Sequence, residues 1–383
     1  MKVLHLLKTS IGASWALRQT RELVALGVEV HVALPDGPLV AEYQKAGVHT
    51  HIVDVIFEVK RPWHNIKKSK QLKKLVEEIN PDIVHSHFVA TTFLMRLALR
   101  KTQVPRVFQV PGPLHLEHWL YKRIEIILGN KYDYWLASCQ WTQDEYQRCG
   151  IEPSRTGLAY YGVNEEDFKV DDHEKIDLRN VCQLEADDYL VGMVAYFYAP
   201  KAYLGQKRGL KGHEDFIDAI AIVRKKYPAV KSVIIGGPWG GAQSYFDGVK
   251  QYAQERLGDA CVFLGIRKDV PLLYPQLNLA VHPSHSENVG AAAESMYSKV
   301  STLSSDVGGF PDLVIDGETG YMAPAKNPEA LAAKIIEAYL DEAEQQRRVE
   351  NAYQKVKTLL NVKQNVLDVN RFYEHVLKQQ RAG

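Results

Sequence analysis

The stretch that decides the fold of this chain spans residues 283–294 and reads Pro283-Ser284-His285-Ser286-Glu287-Asn288-Val289-Gly290-Ala291-Ala292-Ala293-Glu294. It follows an apolar, strand-like run and sets two carboxylates, Glu287 and Glu294, 7 residues apart around a turn of small residues. A buried, ionised carboxylate is costly unless a partner satisfies it, and the next basic residue along the chain is Lys299. A ring of sugar hydroxyls is a natural partner for such a pair. The alternative is two solvated glutamates on one helix face, because this spacing is close to two helical turns.

The composition is that of an ordinary globular chain of 383 residues, with 46% hydrophobic and 24% charged residues. This length exceeds what one hydrophobic core usually supports, so we expect two domains of about 150–200 residues. The net charge of +1 supplies no global field that would attract nucleic acid, and we therefore expect no nucleic-acid partner.

Cysteine usage and hydropathy indicate the compartment. The 4 cysteines are scattered and form no Cys-x-x-Cys pair, which suits a reducing cytoplasm and argues against structural zinc or a disulfide framework. The first residues are too interrupted by polar side chains for a signal peptide. No apolar run approaches the roughly 18 residues that span a bilayer. The sequence predicts a soluble, cytoplasmic protein.

Apolar runs and helical patterns alternate along the chain and predict an α/β fold. In the first half, Val3–Leu7 and Val28–Leu34 read as strands around a helix. In the second half, Leu277–His282 and Val300–Leu303 read as strands around a helix over Ala291–Ser298. Such alternation with short connections implies parallel sheets that are covered on both faces.

An acidic, aperiodic stretch over Val163–Asp188 separates the two halves, and we interpret it as a linker. No sequence period relates the halves, so they are two similar architectures and not a repeat array. We therefore predict two doubly wound domains followed by a helical tail, over residues 1–170, 171–362 and 363–383.

The residues from 283 onward resemble the donor-site signature of GT-B glycosyltransferases of family 4, the group 1 type. The resemblance rests on the segment from Glu287 to Glu294, with Asp306-Val307-Gly308-Gly309 and Gly317-Glu318-Thr319-Gly320 following at the family's spacing. One departure is Asn288, because the family has glycine after the first glutamate. The resemblance implies two Rossmann-like domains that face a central cleft, with the last helix returning to complete the first domain.

For function, the resemblance implies retaining transfer of a sugar from a UDP- or GDP-sugar to a hydroxyl. The acceptor would be a glycan, a lipid-linked glycan or a small molecule, in cell-surface polysaccharide or glycoconjugate biosynthesis. In the family the first glutamate lies near the transferred sugar, a role for Glu287, and the second grips the ribose hydroxyls, a role for Glu294. The turn residues Asn288, Val289 and Gly290 would present backbone N–H groups to a phosphate.

A departing diphosphate needs fixed positive charge, because negative charge develops on it as its bond to the sugar breaks. Family members supply an arginine and a lysine. Lys211 matches the lysine of the family's Lys-Gly pair and is our phosphate-binding candidate, in a catalytic role together with Glu287. The family's arginine position holds Tyr196, and we assign Arg208 as its substitute. The alternative is that Lys211 and Arg208 belong to a solvated basic loop.

Two further donor contacts rest on weaker signals. Gly236 follows a strand and would let the backbone approach the nucleotide. Arg267 occupies the place where the family's backbone contacts the base, although it equally suits a surface residue.

No metal or other cofactor is predicted, and the nucleotide-sugar counts as a substrate. The chain has no Asp-x-Asp, which fits a leaving group neutralised by cationic side chains and a helix dipole. His85 and His87 lie on one face of a strand, but no carboxylate or thiol beside them in sequence completes a metal site. We expect them to line the strand end of the first domain, as a similar His-x-His does in relatives.

Two segments of the first domain are candidates for the acceptor side. The loop after the first strand contains Gly12, Ala13, Ser14 and Trp15, and the family has a small-residue loop there that faces the acceptor. An ordinary strand-to-helix turn is the alternative. Relatives place a histidine beside the reacting centre in a segment like Pro111–Trp119. His115 is our catalytic candidate, with His118 second, against the alternative of a solvated loop histidine.

A basic run occupies residues 60–74 and contains Trp63 but no acid. Many relatives act on lipid-linked acceptors and touch an anionic membrane surface through such a face, so a peripheral membrane contact at the inner face is one interpretation. A solvated helix face balanced by Glu77 and Glu78 is the other.

Three alternative functions follow from the same fold. A GT-B relative could epimerise or hydrolyse nucleotide-sugars without an acceptor. A non-catalytic sugar-nucleotide sensor would be expected to lack Glu287 or Lys211, and both are present. A dinucleotide-dependent oxidoreductase would need Gly-x-Gly-x-x-Gly after a strand, and the chain has no such motif.

Overall fold

The computed structural model describes residues 1–168, 177–202 and 205–382. The chain divides into two compact units: Met1–Val163 together with the chain from Leu360 onward, and Asn164–Leu359. The predicted domain boundary at residues 170 and 171 lies outside the described residues, as does the middle of the predicted linker.

The first unit is built on a parallel sheet of 7 strands in the order β3-β2-β1-β4-β5-β6-β7. Its core strands are buried on both faces, which is why they read as continuous apolar runs. The strands are β1 (Lys2–Leu6), β2 (Glu29–Leu34), β3 (His49–Ile52), β4 (Ile83–Ser86), β5 (Arg106–Phe108), β6 (Asp133–Ala137) and β7 (Thr156–Leu158).

Helices cover both faces of this sheet. They are α1 (Ser14–Ala25), α2 (Leu39–Lys45), α3 (His64–Ile79), α4 (Val89–Leu99), α5 (Leu114–Glu117), α6 (Trp119–Ile127), α7 (Gln140–Arg148) and, from the end of the chain, α16 (Val362–Ala382). Helix α16 packs on the face that also carries α1, and its apolar stripe, with Val366, Val369 and Val376, joins Val3 and Ala16 in one core. The opposite face packs against α3 and α4.

The second unit is a parallel sheet of 6 strands in the order β10-β9-β8-β11-β12-β13. The strands are β8 (Tyr189–Val194), β9 (Val230–Ile235), β10 (Cys261–Gly265), β11 (Leu279–His282), β12 (Thr302–Ser305) and β13 (Tyr321–Ala323). The helices are α8 (Leu178–Val181), α9 (His213–Arg224), α10 (Gln243–Leu257), α11 (Val270–Leu273), α12 (Gly290–Tyr297), α13 (Phe310–Leu313), α14 (Pro328–Leu340) and α15 (Glu342–Leu359).

Both sheets reverse their strand order in the middle, β1 next to β4 in the first and β8 next to β11 in the second. Doubly wound sheets bind ligands outside the carboxyl ends of the strands at such a switch point. The prediction of a doubly wound α/β chain is confirmed, and the switch point of the second unit lies where β11 leads into Glu287.

Two local predictions are corrected by packing. The strand expected over Val300–Leu303 is β12, two residues further on, and Val300 belongs to the turn that precedes it. The later part of the predicted linker is not a linker, because Leu178 is fully buried and Cys182 is 5% exposed in the core of the second unit. Little in the sequence indicated this helix, because it is short, its buried residue is Leu178, and acidic residues flank it.

Within the residues that the structure describes, no helix is both long and apolar enough to cross a membrane.

Candidate functional site

Two loops of the second unit are joined at the carboxyl edge of its sheet. The backbone N–H of His285 donates to the carbonyl of Leu210 at 2.8 Å. Gly212 has φ +74°, and a Cβ at this position would lie 2.0 Å from the carbonyl oxygen of Pro283. Only glycine fits so close an approach in this backbone conformation. The loop after β11 therefore meets the loop before α9, and Lys211 lies at their junction.

Lys211 forms an ion pair with Glu287, Nζ to Oε2, and both side chains are largely buried, at 18% and 15% exposure. Burial acts to lower the pKa of Lys211, but the Glu287 carboxylate, with smaller contributions from Tyr198 and Glu294, outweighs it and raises this pKa. Lys211 is therefore a fixed positive charge at neutral pH. The basic partner that the sequence around Glu287 lacks comes from a loop 76 positions away.

Glu294 lies on helix α12 and is exposed, so the expectation of two buried carboxylates is correct only for Glu287. Glu294 remains electrostatically coupled to Lys211. It also lies near the buried hydroxyl of Tyr274, whose pKa is raised well above its ordinary value, mainly by burial and then by Glu294. The three charged groups thus share one site, with Glu294 at its open side.

The turn between the two glutamates offers unbonded polar groups that could bind a ligand. Gly290 is exposed and begins α12, so the unbonded N–H groups of the first helical turn are available here. Asn288 is only 8% exposed, and its buried Oδ1 has no hydrogen-bond partner among the described residues. Val289 is buried and fixes the turn against the core. The N–H of Gly309 donates to the carbonyl of Glu287 at 3.2 Å, so the second part of the sequence signature packs on the first.

Arg208 is bound by carboxylates of helix α9. Its Nη1 lies 2.5 Å from Asp215 and its Nη2 lies 2.7 Å from Asp218. These hydrogen bonds raise the pKa of Arg208 although burial opposes them. Asp215 also accepts from Nε2 of His285 at 2.5 Å, so it connects Arg208 to the loop of Glu287. This geometry favours a structural role for Arg208, in contrast to the diphosphate contact expected from the sequence.

Gly236 and Arg267 follow neighbouring strands of the same sheet edge. Gly236 has φ +146°, and a Cβ there would lie 1.9 Å from the carbonyl oxygen of Ala195, so the two loops touch through their backbones. Arg267 pairs with Asp269 through two contacts of 2.8 and 2.6 Å. A base contact by Arg267 would therefore compete with Asp269.

An aromatic group beside Lys211 was missed in the sequence. Tyr196 and Trp239 are 40% and 47% exposed, and their ring centroids lie 5.0 Å apart. Nζ of Lys211 lies 5.9 Å from the ring of Tyr198. Phe197 between the tyrosines is fully buried, so this extended segment alternates between core and surface. Three consecutive aromatic residues after β8 were the feature of the sequence from which this aromatic group could have been predicted.

The first unit has a buried histidine cluster at the carboxyl edge of its sheet. His5 on β1 is in register with His85 on β4, and His87 follows on the same face. His5 Nδ1 lies 2.8 Å from His87 Nε2, and His87 Nδ1 lies 2.7 Å from the hydroxyl of Tyr161. Burial lowers the pKa of His5 to about 3 and those of His85 and His87 well below their ordinary value. The sequence indicated His85 and His87 but missed His5.

The predicted acceptor loop lies over this cluster. Gly12 and Ser14 are exposed before and at the start of α1, and Ala13 is buried. The ring of Trp15 lies 4.4 Å from that of Tyr161 and 5.7 Å from that of His87. The structure therefore brings this loop together with the strand end that carries His87.

His115 has an interior position and not the accessible loop position expected from the sequence. It is 7% exposed, and its Nε2 lies 2.9 Å from the buried hydroxyl of Tyr146. Burial lowers its pKa to about 3. His118 is half-buried, with its ring against Trp119 and Tyr121. This placement favours a structural role for His115.

The basic segment over residues 60–74 has acidic neighbours in the chain directly before it. Lys68 is 9% exposed and its Nζ lies 2.7 Å from Asp54 and 2.6 Å from Glu58. Trp63 and Ile66 are 63% and 61% exposed. The segment is thus partly a structural ion-pair network and partly an exposed face with apolar side chains.

Two family models match the chain in succession. Glycosyltransferase Family 4 matches residues 13–167, and Glycosyl transferases group 1 matches residues 202–355, the range that holds Lys211, Glu287 and Glu294. The chain belongs to the family 4, group 1 glycosyltransferases.

Similar proteins include the lipopolysaccharide core biosynthesis mannosyltransferase LpcC of Rhizobium leguminosarum, 27% identical over 46% of this chain and 51% of that protein. The glycosyltransferase EpsD of Bacillus subtilis is 25% identical over 72% of each chain. The chain thus spans about half the length of the mannosyltransferase. Among solved structures, Anabaena Alr3699/HepE in complex with UDP-glucose has a TM-score of 0.77 at 20% identity, covering 97% of this chain and 99% of that one. The GT-B fold class is confirmed by these likenesses.

Proposed function

We propose that the protein is a glycosyltransferase that moves a sugar from a nucleotide-diphosphate sugar to an acceptor hydroxyl. The observation that carries the proposal is the site at the switch point of the second unit. There, Lys211 contacts Glu287, and Glu294 stands at the open side of the same site. Cationic, hydrogen-bonding and carboxylate groups thus converge where a parallel sheet binds ligands.

The diphosphate would be bound by Lys211 and by the first turn of α12. Lys211 provides a fixed charge toward the oxygen from which the sugar departs, so negative charge developing there is stabilised. The N–H groups beginning at Gly290 add donors and the positive end of the helix dipole. Glu294 would accept hydrogen bonds from the ribose hydroxyls.

Glu287 would exchange partners when the donor binds. In the free protein it is neutralised by Lys211 and lies 3.4 Å from the hydroxyl of Ser284. A diphosphate competes for Lys211, and hydroxyls of the transferred sugar replace the lysine at Glu287. The Oδ1 of Asn288, which has no hydrogen-bond partner among the described residues, would be a further acceptor for a sugar hydroxyl.

A uridine or guanosine diphosphate sugar with a hexosyl group is the proposed donor. A solved structure of similar fold was determined with UDP-glucose, and LpcC is named a mannosyltransferase. The proposed transfer retains the configuration of the sugar. It also needs no divalent metal, because Lys211 and the helix dipole take the place of a metal. Transfer in the presence of excess EDTA tests metal independence, and product anomers tell retention from inversion.

The acceptor is proposed to be a lipid-linked or polymeric glycan in cell-surface biosynthesis, since LpcC is named for lipopolysaccharide core biosynthesis. Trp63 and Ile66, with exposed lysines beside them, are proposed to touch an anionic membrane surface. Co-sedimentation with vesicles containing phosphatidylglycerol, compared with phosphatidylcholine alone, tests this contact. Trp63→Ala should reduce the bound fraction only in the anionic sample.

The deciding experiment measures thermal shifts with UDP, GDP and ADP and their sugars, followed by turnover of the stabilising donor with and without acceptor glycans. A ligand that binds the native state raises the melting temperature. Acceptor-dependent turnover supports transfer. Rapid turnover of the donor alone would identify an epimerase or hydrolase, and binding without turnover would identify a sensor.

A further inference from the structure

Four potential metal ligands lie on one face at the open edge of the first sheet. Strand β3 is the edge strand and pairs only with β2 in the sheet order. Glu29 and His31 alternate on β2, His49 and His51 alternate on β3, and His31 is in register with His49. Because alternate residues of a strand point to the same face, the register brings these four side chains together.

The donor atoms of this cluster lie close enough together to bind one metal ion. His31 Nε2 lies 3.0 Å from Glu29 Oε1, and the ring centroids of His31 and His49 lie 4.7 Å apart. One donor atom each from Glu29, His31 and His49 can be chosen so that all lie within 4.8 Å. His31 Nδ1 lies 2.9 Å from His51 Nε2, so the second ring nitrogen of His31 is also held.

We propose that Glu29, His31 and His49 bind a divalent transition metal of the zinc type, with His51 orienting His31. Imidazole nitrogens and one carboxylate are a ligand set that such metals accept, and an exposed edge leaves a coordination position for water. A second group on the far ring nitrogen is the usual support of a metal-bound histidine.

The protons balance without release to solvent. In the free protein a carboxylate can only accept, so His31 carries its proton on Nε2 and accepts from His51 at Nδ1. When the metal takes the Nε2 lone pair, the His31 proton resides on Nδ1 and is donated to His51. His51 then carries its own proton on Nδ1, so both rings change tautomer and no net charge is lost.

Charge and access favour this cluster over the buried one. The side chain of Glu29 is 48% exposed, so a metal ion can reach it from solvent. The Glu29 carboxylate then offsets part of the positive charge of the metal ion. His5, His85 and His87 are fully buried and include no carboxylate, so a divalent ion there would be uncompensated. The proposed site begins at the first residues of β2 and β3, at the end of the sheet opposite the carboxyl edge, and it does not depend on the transfer reaction.

Lys2 is the competing cation at this site. Its Nζ lies 3.3 Å from Glu29 Oε1 and donates to the carbonyl of Ile79 at 3.1 Å. Glu78 is a further charged group near the cluster and acts on His51 from helix α3. Removing Lys2 should therefore strengthen metal binding, which adventitious binding to scattered histidines would not show.

The test titrates the full chain, freed of any affinity tag, with Co²⁺ and follows its visible absorption, then displaces it with Zn²⁺ against a competing chelator. We expect one metal per chain, loss of the signal in His31→Gln and His49→Gln, and roughly tenfold to hundredfold weaker binding in His51→Phe. Lys2→Gln should bind more tightly. His64→Gln, which replaces a partly exposed histidine on α3, is the matched control and should bind as wild type.

Binding that survives both His31→Gln and His49→Gln overturns the proposal, as does binding lost in His85→Asn but kept in those two variants. An unchanged affinity in Lys2→Gln also counts against it. This last variant keeps the three ligands and His51, so it remains decisive if a histidine variant fails to fold.

Discussion

Lys211 and Glu287 form an ion pair although 76 positions separate them in the chain. The pair depends on the contact of two loops, because Gly212 admits the carbonyl of Pro283 and the N–H of His285 bonds to Leu210. The lysine and the glutamate therefore hold each other in position.

Replacing Lys211 by methionine should lower the rate of sugar transfer by about 100- to 1,000-fold, as expected for the loss of one group that stabilises developing charge. Steady-state kinetics with saturating donor and a denaturation curve would be measured together. Lys207→Met, in the same loop and exposed, is the control and should retain activity. Wild-type rates in Lys211→Met would remove this residue from the mechanism.

Gly212→Ala should destabilise the second unit and displace Lys211. The left-handed backbone conformation alone costs roughly 1–2 kcal/mol, and the added Cβ would also collide with Pro283. Gly205→Ala is a matched control, because Gly205 has φ +70° but no atom of the described residues within 4 Å of the position that a Cβ would occupy. Urea denaturation should show a clearly larger loss for Gly212→Ala than for Gly205→Ala; equal losses would mean that the loop contact contributes nothing.

Glu294→Gln should weaken nucleotide binding by roughly tenfold to a hundredfold, the range of a hydrogen bond to a charged group. Its side chain is exposed, so the melting temperature of the free protein should stay within error of wild type. Calorimetric titration with UDP and GDP measures the effect. Glu255→Gln, on α10, serves as the control, and equal affinities in the two variants would contradict the ribose assignment.

Arg208→Gln separates a structural from a ligand-binding role. Because Arg208 bonds to Asp215 and Asp218, we expect a lower melting temperature and a nucleotide affinity within about twofold of wild type once folded. The opposite result, an unchanged melting temperature with affinity lost, would make Arg208 the diphosphate contact that the sequence suggested.

The stability of the fold should fall as the pH drops below about 6.5, the ordinary pKa of histidine in an unfolded chain. Burial lowers the pKa of His5 to about 3, so the folded protein keeps this ring neutral while the unfolded chain gains a proton. The stabilisation is therefore complete above pH 6.5 and declines toward pH 3. Urea denaturation at pH values below about 6 should show a slope of stability against pH that is smaller in His5→Leu than in wild type, by up to about 1.4 kcal/mol per pH unit. Equal slopes in His5→Leu and wild type would contradict this prediction.

The fold class could be predicted from the amino-acid sequence alone, and so could the segment that carries Glu287 and Glu294 after a strand of the second unit. The alternation of apolar runs and helical patterns is a local property, and it was sufficient to predict parallel α/β units. The spacing of Glu287 and Glu294 around a small-residue turn is local as well, and α12 begins within it at Gly290.

Only the tertiary structure decided which groups meet. It paired Lys211 with Glu287, bound Arg208 to Asp215, and placed His5 beside His87. It also brought His31 of β2 into register with His49 of β3. Arg208 and Asp215 are 7 residues apart, whereas the partners in the other pairs come from distant segments. Strand register and backbone approach select those partners, and no local pattern encodes either. A sequence period fixes the face on which a side chain lies, whereas packing fixes its neighbour and hence its charge state and chemistry.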